Sequence, residues 1–164
     1  MSPSAMIQCV GSRPGLAELV RAWAFGWNRH SPALVAACCT DEVRFEDPAL
    51  PAPAQGRAEV ARFVRELTTA FPDLRVGAAG RWRTLPTGQV LVPWRGVATC
   101  LGPLPSLGVA PTGTRIETVG VHIWELEDGL VAHHRAFYDL ERMLRALGAD
   151  HPALLTVQTP GSTR

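Results

Sequence analysis

Two turn signals in the second half of the chain, Pro86-Thr87-Gly88 and Asp128-Gly129, do most to limit what it can fold into. Each separates long runs rich in Val, Ile, Thr and Trp, so each reads as the turn of a β-hairpin. Strands are therefore expected at about 74–84, 89–100, 114–127 and 130–138. The first half reads differently. Pro14-Gly15 opens a helix in which Leu16, Leu19, Val20, Trp23 and Trp27 form one apolar stripe. Ser31-Pro32 is an N-cap with Pro at the first helical position, starting a short helix to about Cys39. Residues 57–70 place Val60, Phe63, Val64 and Leu67 on one side, and Phe71-Pro72 stops that helix. A last amphipathic helix is expected over 140–147. Helices first and strands afterwards point to an α+β fold, with a curved antiparallel or mixed sheet wrapped around the N-terminal helices. Such a sheet makes a cone with an apolar interior.

At 164 residues this is one domain. Residues 1–13 read as a flexible arm, 14–148 as the domain and 149–164 as a mobile tail. The Pro- and Gly-rich loop from Leu101 to Gly113 is a candidate lid or cavity rim. A formal charge of +1 gives no electrostatic reason to expect nucleic acid or an anionic membrane as partner. With neither a long apolar run nor a signal-peptide pattern, a cytoplasmic location is expected. All sixteen basic residues are arginine, and the lack of lysine excludes Schiff-base and P-loop chemistry. Cys9, Cys38, Cys39 and Cys100 lack a metal-binding spacing and are expected as free thiols. His133-His134 are neighbours on a strand and point to opposite faces, so they are not expected to share a metal. No cofactor is expected.

Between the helices lies a short strand at about 42–47, in which Val43, Phe45 and Asp47 alternate with Arg44 and Glu46. That period puts Asp47 on the apolar face at the strand end. A carboxylate there is either a general base with a raised pKa or a cap for the Pro48 turn. In the third long strand, parity puts Gly120, His122, Trp124 and Leu126 on the inner face. His122 then either polarises a carbonyl, donates a proton or holds Asp47, or it is a buried neutral histidine bonded to backbone. In the last strand Ala132, His134, Ala136 and Tyr138 share a face, which makes Tyr138 a wall residue and His134 either a catalytic candidate or a core histidine beside an exposed His133. Trp23, Trp27, Phe45, Phe63, Trp94, Trp124 and Tyr138 either line an aromatic pocket or fill the core. Asn28 either ends the first helix or bonds substrate, and Asp139 is expected to cap the last helix. Val131, Ile123 and Phe137 are expected on the outer sheet face, where an apolar surface calls for a homodimer through the sheet.

The series Trp27-Asn28-Arg29-His30-Ser31, Phe45-Glu46-Asp47-Pro48, Gly56, Ala70-Phe71-Pro72-Asp73-Leu74, Ala110-Pro111-Thr112-Gly113, Trp124 to Val131, Tyr138-Asp139-Leu140 and Leu147-Gly148 resembles the SnoaL-like polyketide cyclase and ketosteroid-isomerase group, in the same order, over roughly residues 14–148. The resemblance implies the nuclear transport factor 2-like cone. It also implies a base at Asp47, and it places the ketosteroid isomerases' tyrosine and protonated aspartate at Trp23 and His122. The acid/base aspartate of the SnoaL-type cyclases falls at Ala136, while their histidine matches His122. The activity it implies is a cofactor-independent cyclase or isomerase acting on an apolar polyketide-like intermediate by general acid/base catalysis. Epoxide opening and non-catalytic ligand binding are the alternatives.

Overall fold

A computed structural model describes residues 15–149. The expected arm, and all of the expected tail except Ala149, lie outside them. The first helix, α1 (Leu16–Asn28), buries Leu19, Trp23 and Trp27, as its stripe requires. Helix α2 (Pro32–Ala37) starts where the Ser31 hydroxyl accepts the Leu34 N–H. Strand β1 (Cys39–Glu46) and the two-residue strand β2 (Ala54–Gln55) lead into α3 (Gly56–Ala70), whose buried side carries Val60, Phe63 and Val64. The remaining elements are β3 (Arg75–Ala78), β4 (Arg83–Thr84), β5 (Val90–Thr99), β6 (Arg115–Glu127), β7 (Leu130–Tyr138) and α4 (Leu140–Ala146). Asp139 caps α4 by accepting the Arg142 N–H at 2.8 Å.

The strands form one curved, unclosed mixed sheet in the order β2-β1-β7-β6-β5-β3, with β4 also paired to β5. All pairings are antiparallel except that of β1 with β7. This parallel pair sets the site, because it lays the end of β1 beside the end of β7. The expected α+β class and wrapped sheet are therefore present. At the β6–β7 turn Asp128 and Gly129 both take positive φ, 52° and 79°, the conformation a two-residue hairpin turn needs.

Two expectations about strands require correction. The strand expected over 74–84 is two short strands. The ladder with β5 ends one bond beyond Ala78: Ala79 N–H donates to the Pro93 carbonyl at 3.2 Å, and Pro93 has no N–H to return. Val131 is not on the outer face; it is fully buried. The register between β6 and β7 shifts between Glu125 and Leu126, so one step on β6 meets two on β7. That bulge returns Val131 to the inside while His134, Ala136 and Tyr138 keep the expected parity. On the outer face Phe137 remains half exposed and Val119 more so. The Leu101–Gly113 loop is anchored rather than free: Leu101 and Gly102 donate to the Ala70 carbonyl, Ser106 N–H donates to Glu66, and Leu104, Leu107 and Val109 are buried.

Candidate active site

Asp47 lies one residue beyond β1, where the chain turns away from the sheet. Its Oδ1 accepts the Ala49 N–H at 2.9 Å and the Tyr138 O–H at 2.7 Å. The turn-closing reading thus holds, and the carboxyl that closes the turn is partly buried. Burial pushes its carboxyl up to about 6, against the downward pull of the two donors. Burial and the neighbouring carboxylate push the Tyr138 hydroxyl well above its ordinary value, so it stays protonated and remains a donor. Both bonds fall on Oδ1, and no described residue donates to Oδ2. Asp47 also lines a cleft of about 340 Å³ bounded by Pro48, Pro53, Arg135, Ala136 and Phe137.

Inside the sheet the expected aromatic residues are packed ring on ring, not spread around an open cavity. His122 is 8% exposed. The Trp94 indole stacks on it with centroids 5.2 Å apart, and Trp23 meets it edge-on at 5.9 Å. Trp94 also contacts the Tyr138 ring at 5.7 Å. A continuous path of contacts therefore runs Asp47–Tyr138–Trp94–His122–Trp23. Burial pushes the His122 imidazole down to about 3, so at neutral pH it carries one proton and no charge. It can donate a hydrogen bond but has no imidazolium proton to give. Its Nδ1 and the indole nitrogens of Trp23 and Trp94 are buried with no hydrogen-bond partner among the described residues.

His134 has a different setting. Its ring stacks on Phe45 at 4.0 Å, and its Nδ1 accepts the Trp124 indole N–H at 3.0 Å. Burial first, then the neighbouring His122 and His133, hold it well below the ordinary histidine range. Its Nδ1 is thus an acceptor, which places the ring proton on Nε2. Phe63 packs on Phe45 at 5.7 Å. Trp27 is buried in the same core cluster as Trp23, Phe45 and Trp124. Asn28 is committed elsewhere. Its side-chain amide donates to the Val76 carbonyl and accepts the Val76 N–H, both at 2.8 Å. His133 points outward, as expected, and donates to Glu46 at 2.8 Å.

Cys38, Cys39 and Cys100 are free and buried, and burial pushes Cys38 and Cys39 up to about 11 and about 12, so neither is a thiolate nucleophile. Cys9 lies outside the described residues. Among the described residues no group of three or more His, Cys, Asp or Glu is placed to hold a metal ion, and no helix is long and apolar enough to cross a membrane. The contact sequence reasoning missed is Tyr138 on Asp47. Its one signal was that Tyr138 shares the inner face of β7; the parallel pairing that brings it to Asp47 has no local mark.

The architecture has solved counterparts. TsrD from Streptomyces laurentii is 22% identical, with a TM-score of 0.69 over 91% of this chain and 99% of its own. A protein from Jannaschia sp. CCS1, provisionally assigned as a SnoaL-like polyketide cyclase, is 23% identical, with a TM-score of 0.69 over 85% of this chain and 99% of its own. A Catenulispora acidiphila protein with a ketosteroid isomerase-like fold, solved with trimethylamine, is 15% identical, with a TM-score of 0.68 over 82% of this chain and 95% of its own. At these identities the likeness concerns the fold. No curated protein matches the sequence. The profile of the SnoaL-like domain matches residues 20–134, which span both Asp47 and His122, and the chain belongs to that family.

Proposed function

We propose that this protein is an acid/base enzyme that moves a proton on a neutral, apolar, polyketide-like substrate, with ring closure or isomerisation as the outcome. The observation that carries this reading is Asp47: a carboxyl with a pKa near 6, fixed by Tyr138 at the edge of a cleft and joined by ring contacts to an uncharged histidine. A base poised near the working pH is what proton abstraction beside a carbonyl requires. Ionised Asp47 takes a proton from the carbon next to a substrate carbonyl. The C–H electron pair moves onto the carbonyl oxygen, and the neutral His122 N–H stabilises that developing enolate. The proton then returns from Asp47 at another carbon, or the enolate carbon attacks a second carbonyl of the same molecule, whose oxygen takes that proton and leaves Asp47 ionised. Aromatic rings and two uncharged histidines around the path favour a flat substrate without charge. No step calls for a cofactor.

The test uses a panel of enolisable ketones in D₂O, with loss of the proton at the acidic carbon followed by NMR. Wild type is expected to exchange at least one of them well above the buffer rate, and Asp47→Asn is expected to exchange none. Equal exchange by both proteins would refute the assignment.

The pH dependence follows from the same two groups. Rate is expected to rise with pH to a plateau, with its midpoint near 6, as Asp47 ionises. His122 is already neutral throughout that range, so it adds no second limb. A pH–rate profile that falls again above pH 7 would contradict this.

We also propose a homodimer through the outer sheet face, supported by the exposure of Val119 and Phe137 and the lateral pairing of Phe137 with Val121. Light scattering at micromolar concentration is expected to give twice the chain mass. A monomer there would end the proposal.

A further inference from the structure

The formal charge of +1 hides an uneven distribution along the chain. From Leu74 to Ile116 the sequence has five arginines, Arg75, Arg81, Arg83, Arg95 and Arg115, and no aspartate or glutamate. The fold gathers them at the β3–β5 side of the sheet. Val90, Val92 and Ala98 of β5 are buried, so the alternate residues, Leu91 to Thr99 with Arg95 among them, face outward. Register then fixes the rest: Arg83 lies opposite Leu91, Arg75 opposite Val97 and Arg115 opposite Thr99. Four arginines thus form a row on the outer face. From Leu91 to Thr99 the row spans eight residues of β5, about 27 Å at about 3.4 Å per residue. Arg81 and the exposed Trp82 precede Arg83 at one end of it.

Few carboxylates answer this charge. Arg95 pairs with Glu117 at 3.4 Å, with both side chains more than half exposed. Asp73 lies beside Arg115 and accepts the Thr99 N–H and hydroxyl. Among the described residues the side chains of Arg81 and Arg83 have no ion pair or hydrogen bond, and that of Arg75 bonds only the neighbouring Leu74 carbonyl. The compensating acids, Asp41, Glu42, Glu127 and Asp128, line a separate cleft at the start of β1 and the β6–β7 turn. At the free edge of β3 the Val76 N–H and carbonyl are both bonded to Asn28, which closes that edge to an added strand. A partner therefore meets side chains there, not backbone. We propose that the arginine row is a docking surface for an acidic protein, one that presents a line of Asp or Glu side chains. A helix of about 18 residues matches the length of the row. A nucleic acid or an anionic bilayer extends past the row onto Glu125 and the acid-lined cleft, where it is repelled, whereas a short acidic face stops at the row. This inference goes beyond the proton-transfer reading and does not depend on it.

The test uses two fluorescein-labelled helical peptides of about 18 residues, one with glutamate at every third or fourth position and one with glutamine in its place. Their dissociation constants for the full chain are measured by anisotropy at about 50 mM salt. Wild type is expected to bind the glutamate peptide about tenfold or more tightly than the glutamine peptide, and to lose most of that preference at about 0.5 M salt. The double variant Arg81→Gln/Arg83→Gln is expected to bind the glutamate peptide about three- to tenfold more weakly, since two exposed charge pairs are lost. Arg62→Gln/Arg145→Gln, on α3 and α4 away from the row, is expected to stay within about twofold of wild type. All four of these side chains are exposed, so both variants are expected to fold. The proposal is overturned if the two peptides bind alike, or if the row variant behaves as the α3/α4 variant does. It is overturned as well if a short DNA duplex, or vesicles holding phosphatidylserine, bind wild type more tightly than the glutamate peptide. A change of oligomeric state in the row variant would assign the row to an interface between copies, and would also overturn it. Deuterium exchange by the row variant is expected to equal that of wild type, so the Asp47 reading stands or falls separately.

Discussion

Asp47→Asn is expected to give a protein that reacts 10²- to 10⁴-fold more slowly, on the order usual for loss of a general base, and that is also more stable at neutral pH. The second effect follows from the first cause. The carboxyl has an ordinary value of 3.8 in the unfolded chain and about 6 in the fold. Folding therefore favours its protonated form. Below pH 3.8 the acid is protonated in both states and costs nothing. Between the two values stability falls as pH rises, and above about 6 the full penalty is present, on the order of 3 kcal/mol at about 1.4 kcal/mol per pKa unit. Asparagine keeps an oxygen for the Ala49 and Tyr138 donors and removes the charge. Thermal melts at pH 8 are thus expected to show a gain of about 1–3 kcal/mol for the variant, shrinking towards zero near pH 4. A variant less stable than wild type at pH 8 would mean that the carboxylate is better solvated than this setting implies.

Gly120→Val is expected to damage both the fold and the site. An ideal Cβ at this position meets the Phe137 carbonyl oxygen at 2.5 Å and the Trp94 ring at 2.8 Å and 2.9 Å. The carbonyl belongs to the β6–β7 ladder and cannot move without breaking the pairing of Gly120 with Tyr138. The indole can move, but only by leaving His122 and Tyr138. Overpacking of this kind costs about 1–3 kcal/mol, and valine carries two methyl groups beyond the Cβ, so the upper end is expected. Denaturant titration measures the loss. In the same variant the midpoint of the pH–rate profile is expected to move, because displacement of Tyr138 removes one of the two donors on Asp47. A fully stable Gly120→Val protein with an unchanged profile would show that the ring contacts are not coupled to the base.

Much of this arrangement could be read from residue order. The helical stripes of Leu19, Trp23 and Trp27, and of Val60, Phe63 and Val64, are local patterns, and both are buried as the period requires. Strand parity correctly turned Phe45, His122 and His134 inward and His133 outward. Parity fails where the chain inserts a residue, and Val131 changed sides for that reason. Nothing local marked the end of β3 either: it depends on which residue of β5 lies opposite Ala79, and that residue is Pro93. Asn28 ends α1, one of the two roles expected for it, but its bonds to Val76 had no local mark because that partner is far along the chain. The hydroxyl on Asp47 was invisible for the same reason, since only the parallel register of β1 and β7 brings it there.

That register also has a consequence in time. The bond between Tyr138 and Asp47 spans 91 residues. A chain emerging from the ribosome has made α1, α2, β1 and α3 long before Tyr138 exists. Until β7 docks, Asp47 lacks the Tyr138 hydroxyl and is in contact with water, where it is an ordinary ionised aspartate. Closing so long a segment is among the slower steps open to a small domain. The proton taken up as Asp47 passes from water into the finished sheet would therefore mark the completion of folding, and refolding in weakly buffered solution near pH 5 should register it as a late rise in pH.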